Sequence, residues 1–123
     1  MNELDLISTY TRADAIADGL LIEVTELARQ AGFVYRVDVT RGAWESCVCI
    51  HDANSWQNET YRLWGVLLPL AALIRSGINL EFIPFEAHLL DGAKHAQKFP
   101  LRAHLDLGDD GEPVITISLS DED

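Results

Sequence analysis

The stretch FPLRAHLDLGDDGEPVITISL, Phe99 to Leu119, decides the fold class. Phe99, Leu101, Ala103 and Leu105 alternate with Arg102, His104 and Asp106, the period-two pattern of a strand with one buried face. Val114, Ile115 and Ile117 resume the apolar pattern after Asp109-Asp110-Gly111. Such turns require positive φ, so the two runs are expected to pair as a C-terminal β-hairpin. Just upstream, Leu80, Phe82 and Ile83 lead to Pro84, and Phe85 to Leu90 precede Asp91-Gly92. Either one interrupted strand or two short ones fit that spacing, and a proline without an N–H belongs at a sheet edge.

Before this β-rich third, Glu59 to Arg75 reads as a long helix stopped by Gly77. Pro69 inside it removes one helical hydrogen bond and crowds the preceding turn, so a kink or break is expected there. Past Trp64 the helix is apolar on nearly every side, which implies burial on two faces. The second face would meet another helix or a second copy of the chain, and a homodimer is one expectation. The polar stretch Asp52 to Asn58 reads as a loop.

The first half supplies shorter elements. Thr11 and Gly19 bracket a helix over about Arg12 to Asp18, and Leu20 to Val24 is an apolar link. Thr25 is the expected cap of a second helix through Gln30, ended by Gly32. Phe33 to Val39 alternates like a half-buried strand, and Thr40 reads as another helix cap. Trp44, Cys47, Val48 and His51 recur at helical spacing, against a competing strand reading of Cys47 to Ile50. The sum is one α+β domain over residues 1–123, with helices packed on one face of a mostly antiparallel sheet.

The chain has 123 residues, 48% of them hydrophobic and 24% charged, enough to bury a single core. The opening MNELDL has no basic-then-apolar leader, and the longest uncharged run is too short to span a bilayer, so a cytoplasmic protein without membrane association is expected. Cys47 and Cys49, two residues apart, are poorly placed to bridge each other and too few to hold structural zinc. The net charge is −11. Residues 106–123 carry seven acids and no Lys or Arg, leaving 13 acids against 9 bases upstream. With no cluster of basic residues to displace counterions from phosphates, direct nucleic-acid binding is not expected. An acidic surface instead suits solubility, basic partners or imitation of a phosphate backbone.

Motifs for chemistry are sparse. There is no Gly-x-Ser-x-Gly elbow, and no glycine loop with a lysine to cradle phosphate. Cys47 and His51 would sit one helical turn apart, though such a pair more often lines a core. His88, His95 and His104, beside Glu86, Asp91 and Asp106, lack a chelating register, and no metal or cofactor is expected. Asp106, Asp109, Asp110 and Glu112 do not follow an EF-hand spacing and read as a solvated turn. The remaining constellation is two Thr-Arg pairs at helix starts with nearby aromatics. Tyr10, Arg12, Arg41 and Trp44 are the candidate ligand-binding residues, because guanidinium groups beside backbone N–H donors could hold a carboxylate or phosphate. The competing reading is that these arginines satisfy the chain's own carboxylates.

In order along the chain, TYTRADAIADG, EVTELARQAGF, VTRGAW, QNETYRLWGVL and DDGEPVITI resemble successive blocks of a family of small uncharacterised proteins of bacteria, plasmids and phages. The resemblance implies a compact α+β protein carried on mobile elements and brings no activity with it. This chain departs at its tail, ISLSDED, where the family has a methionine-proline phrase. The expected function is that of an accessory or protein-interaction module of a mobile genetic element, acting on an unknown protein partner. The alternatives are an acidic DNA mimic that counters host defence, and a small-ligand binder or enzyme built on the Arg and aromatic residues.

Overall fold

The computed structural model describes residues 10–50, 58–90 and 95–122. Its helices are α1 (Arg12–Ala17), α2 (Thr25–Gln30), α3 (Arg41–Ala43) and α4 (Glu59–Arg75), and a π-helical turn, Trp44–Val48, continues α3. The strands are β1 (Leu21–Glu23), β2 (Arg36–Thr40), β3 (Phe82–Leu90), β4 (Ala96–Leu107) and β5 (Pro113–Leu119). They form one sheet in the order β1-β2-β5-β4-β3, antiparallel except where β2 runs parallel to β5. This is the expected α+β fold with its C-terminal hairpin, but the helices do not all share one face: α1 lies against the face opposite α2 and α4, where Arg12 answers the buried charge of Asp38. No helix among the described residues is long and apolar enough to cross a membrane.

Strand register separates the two faces of the sheet. Ile22, Val39, Ile117, Ala103 and Ile83 are successive partners across all five strands, and the last four are at most 1% exposed. They form the floor of the core, roofed by Leu63, Val66, Leu67, Leu70 and Ala71 of α4, Ala28 of α2 and Val48 of the π turn. One residue along each strand, Glu23, Asp38, Thr116, His104 and Phe82 make the next row, pointing to the opposite face because side chains alternate. Polar residues on that second row create the candidate site.

Local signals in the sequence account for most boundaries. Thr11 accepts from Asp14 N–H at 3.0 Å while the Asp14 carboxylate accepts from Thr11 N–H, a reciprocal cap, and Gly19 ends the turn at φ +76°. Thr40 caps α3 through Ala43 N–H, and Asn58 caps α4 through Tyr61 N–H at 2.7 Å. Gly111 supplies the positive φ of the β4–β5 turn.

Three expectations are corrected. The link Leu20 to Val24 contains strand β1, because three residues beside β2 satisfy their backbone groups by pairing with it. Thr25 is not the cap of α2: its hydroxyl accepts from Val37 N–H at 3.2 Å and donates to Glu23, while Val24 occupies the cap position. Of the kink or break expected at Pro69, the break does not occur: the long helix runs to Arg75, because Leu67, Leu70 and Ala71 are buried on either side of the proline and one lost hydrogen bond is smaller than that packing. Gly65 brings the same helix close to the sheet, since a Cβ there would lie 2.3 Å from Leu89 Cδ2. The interrupted strand is a single one, β3, with Pro84 inside it at the sheet edge. His51, most of the expected loop and the Asp91-Gly92 turn lie outside the described residues.

No sequence pattern pointed to Arg62, a buried cation on α4. Its Nε donates to the Cys47 carbonyl at 2.6 Å and its Nη1 to the Leu90 carbonyl at 2.8 Å, tying the π turn and the end of β3 to α4. Replacing it with methionine keeps the bulk and removes both of these bonds. Arg62→Met is expected to destabilise the fold by about 3 kcal/mol, read as a lower urea midpoint with unchanged slope.

Candidate functional site

Asp38 is the centre of the polar face. It sits in the middle of β2 between Val37 and Val39 and is fully buried. Arg36, two residues earlier on the same face, grips it with two bonds: Nε to Oδ1 and Nη2 to Oδ2, both 3.1 Å. Arg12 reaches it from α1, with Nε 3.0 Å and Nη2 2.9 Å from Oδ2. Arg12 Nη2 also donates to Thr116 Oγ1 at 2.8 Å, and that hydroxyl donates to Asp106 Oδ2 at 2.8 Å. Asp106 lies 3.6 Å from Arg12 Nη1 and 3.2 Å from His104 Nε2. Burial disfavours the Arg36 charge, but the bonds and charge of Asp38, helped by Glu23 and Glu112, outweigh it and raise its pKa.

Two guanidiniums thus face Asp38 and Asp106, and the Glu23 carboxylate lies 3.8 Å from Arg36 Nε, so acids outnumber arginines in the cluster by three to two before His104 is counted. Its hydroxyl and imidazole lie on either side of a carboxylate, whereas nucleophilic catalysis places the imidazole between hydroxyl and carboxylate. Thr116 therefore has no general base of the usual kind. The chemistry of this arrangement is mutual satisfaction: it locks α1, β2, β5 and β4 together.

Both Thr-Arg pairs do adjoin carboxylates, and both carboxylates come from the acidic C-terminal segment. Asp109 accepts from Arg12 N–H at 2.8 Å through Oδ1 and from Ala13 N–H at 3.1 Å through Oδ2. Glu122 Oε1 accepts from Thr40 Oγ1 at 2.7 Å and from Leu119 N–H at 2.9 Å, and its carboxylate leaves no room for a Cβ on Gly42. Arg102 secures the same segment, donating to Ser118 Oγ at 3.0 Å and to the Glu122 carbonyl. The solvated acidic turn expected from the sequence is corrected in part. Asp106 and Asp109 are fasteners of the fold, because an exposed helix start and a charged strand face need acceptors.

The four residues singled out from the sequence do not converge. Arg12 is committed to Asp38 and Thr116, and Tyr10 donates to Asp18 at 2.7 Å, a bond that with the nearby acids raises its pKa. Trp44 packs against the core and lines a groove with Ile22, Leu27 and Leu63, across the sheet from Arg12. Arg41 is exposed at the start of α3, its N–H bonded to the Leu20 carbonyl. A separate apolar cavity of about 150 Å³ lies among Phe33, Tyr35, Ala71, Ile74, Leu80 and Ile115, with Arg75 at its border. Its lining includes none of the four.

Cys47 is buried, and desolvation pushes its thiol up to about 11 despite the charge of Arg62 nearby, so it carries no thiolate at neutral pH. His51 lies outside the described residues. His88 pairs with Lys98 and His104 with Phe82, which places the two histidines six residues apart along β4, roughly 20 Å. No three His, Cys, Asp or Glu among the described residues come together to hold a metal.

The fold and site define a small acidic α+β domain whose open sheet face is closed by an arginine–carboxylate cluster. No protein-family model, curated protein or solved structure matches the chain.

The sequence signal for the cluster was present in RVDVT, where opposite charges two residues apart share one face of a strand. Asp38→Ala leaves two guanidiniums without their anion and is expected to cost about 3 kcal/mol or more in chemical denaturation. Asp109 gives a pH test. Its backbone bonds hold its pKa below the ordinary carboxylate value, so its stabilisation is present above that value and is lost as pH falls through the lowered one. Below about pH 4, Asp109→Asn is therefore expected to lose stability less steeply than the wild type, compared by thermal melts across the acid range.

Proposed function

We propose that the protein is a cytoplasmic protein-interaction module, an accessory of a mobile genetic element, that binds through the β3–α4 edge of the domain. The observation that carries this is the contrast between surfaces. The polar face is closed by its own ion pairs, whereas β3 is a nine-residue edge strand with Phe82, 57% exposed, on one side of the sheet and Tyr61 and Leu68 of α4, each 48% exposed, on the other. The resemblance of its sequence blocks to those of a family of plasmid and phage proteins is what supports the mobile-element setting.

The DNA-mimic reading has less support. Asp109, Asp110 and Glu112 cluster at one end of β5, and Asp121 and Glu122 at the other, about 20 Å away by strand geometry. Arg12, Arg36 and Arg102 lie on the same face between them, interrupting any negative stripe. The ligand-binding reading loses Arg12, which is held by the chain's own carboxylates, and keeps only Arg41 of its two arginines.

Capture from native-host lysate with paired variants tests the proposal. Leu68→Glu at the edge is expected to abolish a specific co-purifying protein, while Val34→Glu, the same change at a site 85% exposed and away from β3, keeps it. Equal capture by the two variants would sink the assignment of this edge.

A further inference from the structure

The main-chain directions of β3 are set by Pro100. Its carbonyl accepts from Ser120 N–H at 3.1 Å on the β5 side, and Pro100 is opposite Glu86 in the β3–β4 register. Opposed residues of an antiparallel pair alternate between bonded and non-bonded, so Glu86 turns its N–H and C=O away from β4. The alternation extends to Phe82, Pro84, His88 and Leu90. Two observations agree with it. Pro84, which has no N–H, costs the β3–β4 ladder nothing, and the Leu90 carbonyl is turned outward, where Arg62 reaches it.

We propose that β3 pairs antiparallel with β3 of a second copy about a two-fold axis at Ala87, joining the two sheets into one of ten strands. This rests on reading the β3 edge as the binding surface and names the occupant. In that register Glu86 faces His88 of the second copy, and His88 faces its Glu86. Each such pair exchanges two main-chain hydrogen bonds, and its exposed side chains, carboxylate and imidazole, meet on one face. One step outward, Pro84 faces Leu90 of the second copy. The donor that Pro84 lacks is matched to a carbonyl already held by Arg62, so that position loses nothing. Registers centred on residue 86 or 88 would instead oppose Glu to Glu or His to His. On the other side of the sheet, an apolar groove bordered by Tyr61, Trp64, Leu68, Leu89 and Leu90 runs beside β3, where α4 of the second copy would close it.

The test uses the purified full chain in sedimentation equilibrium. The expected mass is twice 13.7 kDa. His88→Glu opposes Glu to Glu, and Glu86→Lys opposes Lys to His; each is expected to raise the dimer dissociation constant at least tenfold. The double variant, Glu86→Lys with His88→Glu, opposes Lys to Glu and is expected to restore the wild-type constant. His88→Pro removes the outward N–H and the imidazole but no β3–β4 hydrogen bond, and is expected to dissociate the dimer with an unchanged far-UV circular dichroism spectrum. A monomeric wild type, or a double variant no better than His88→Glu, overturns the proposal. If the wild type is monomeric while Leu68→Glu still abolishes capture of a host protein, the edge binds a different chain and only the self-pairing falls.

Discussion

A carboxylate with no solvent exposure has to be answered by cations and hydrogen bonds, and much of this molecule is arranged around that requirement at Asp38. Its two partners come from different places. Arg36 is local, two residues away on the same strand face, and Arg12 arrives from α1. To bring Arg12 there, α1 must sit against the polar face of the sheet, and it is held in place by Asp109 from the β4–β5 turn. The acidic C-terminal hairpin is thus part of the answer to a charge near the start of the chain.

The same logic explains why a chain of net charge −11 folds without a bare acidic sheet. Asp38, Asp106, Asp109 and Glu122 are each engaged by a guanidinium, a hydroxyl or a backbone N–H. With the polar face closed in this way, exposed apolar side chains flank β3, Phe82 on one side and Tyr61 and Leu68 on the other. That division, between an ion-paired face and an edge strand, is the physical basis for the proposal that the edge binds.

Much of the fold was legible locally because its signals are short-range. Thr11, Thr40, Gly19, Gly32, Gly77 and Gly111 mark ends of elements by capping or by positive φ, neither of which needs distant residues. The alternation in Phe99 to Leu105 identified a strand and its buried face. Where local chemistry was ambiguous the reading failed: Thr25 resembles a cap, but the Val37 N–H of the next strand claims its hydroxyl. Leu21–Glu23 is too short to show a period, and only β2 beside it makes it a strand.

The sequence alone determined an α+β chain, the C-terminal hairpin, the span of the long helix and the identity of residues able to hold an anion at two helix starts. Tertiary structure decided which anions those are, that Asp38 is the buried centre, that Arg62 joins three elements, and that β3 is an edge strand among the described residues. The reason is range. Caps and alternation act within a few residues, whereas Arg12 meets Thr116 across 104 positions and Arg62 meets Leu90 across 28, and nothing in local spacing encodes such pairings.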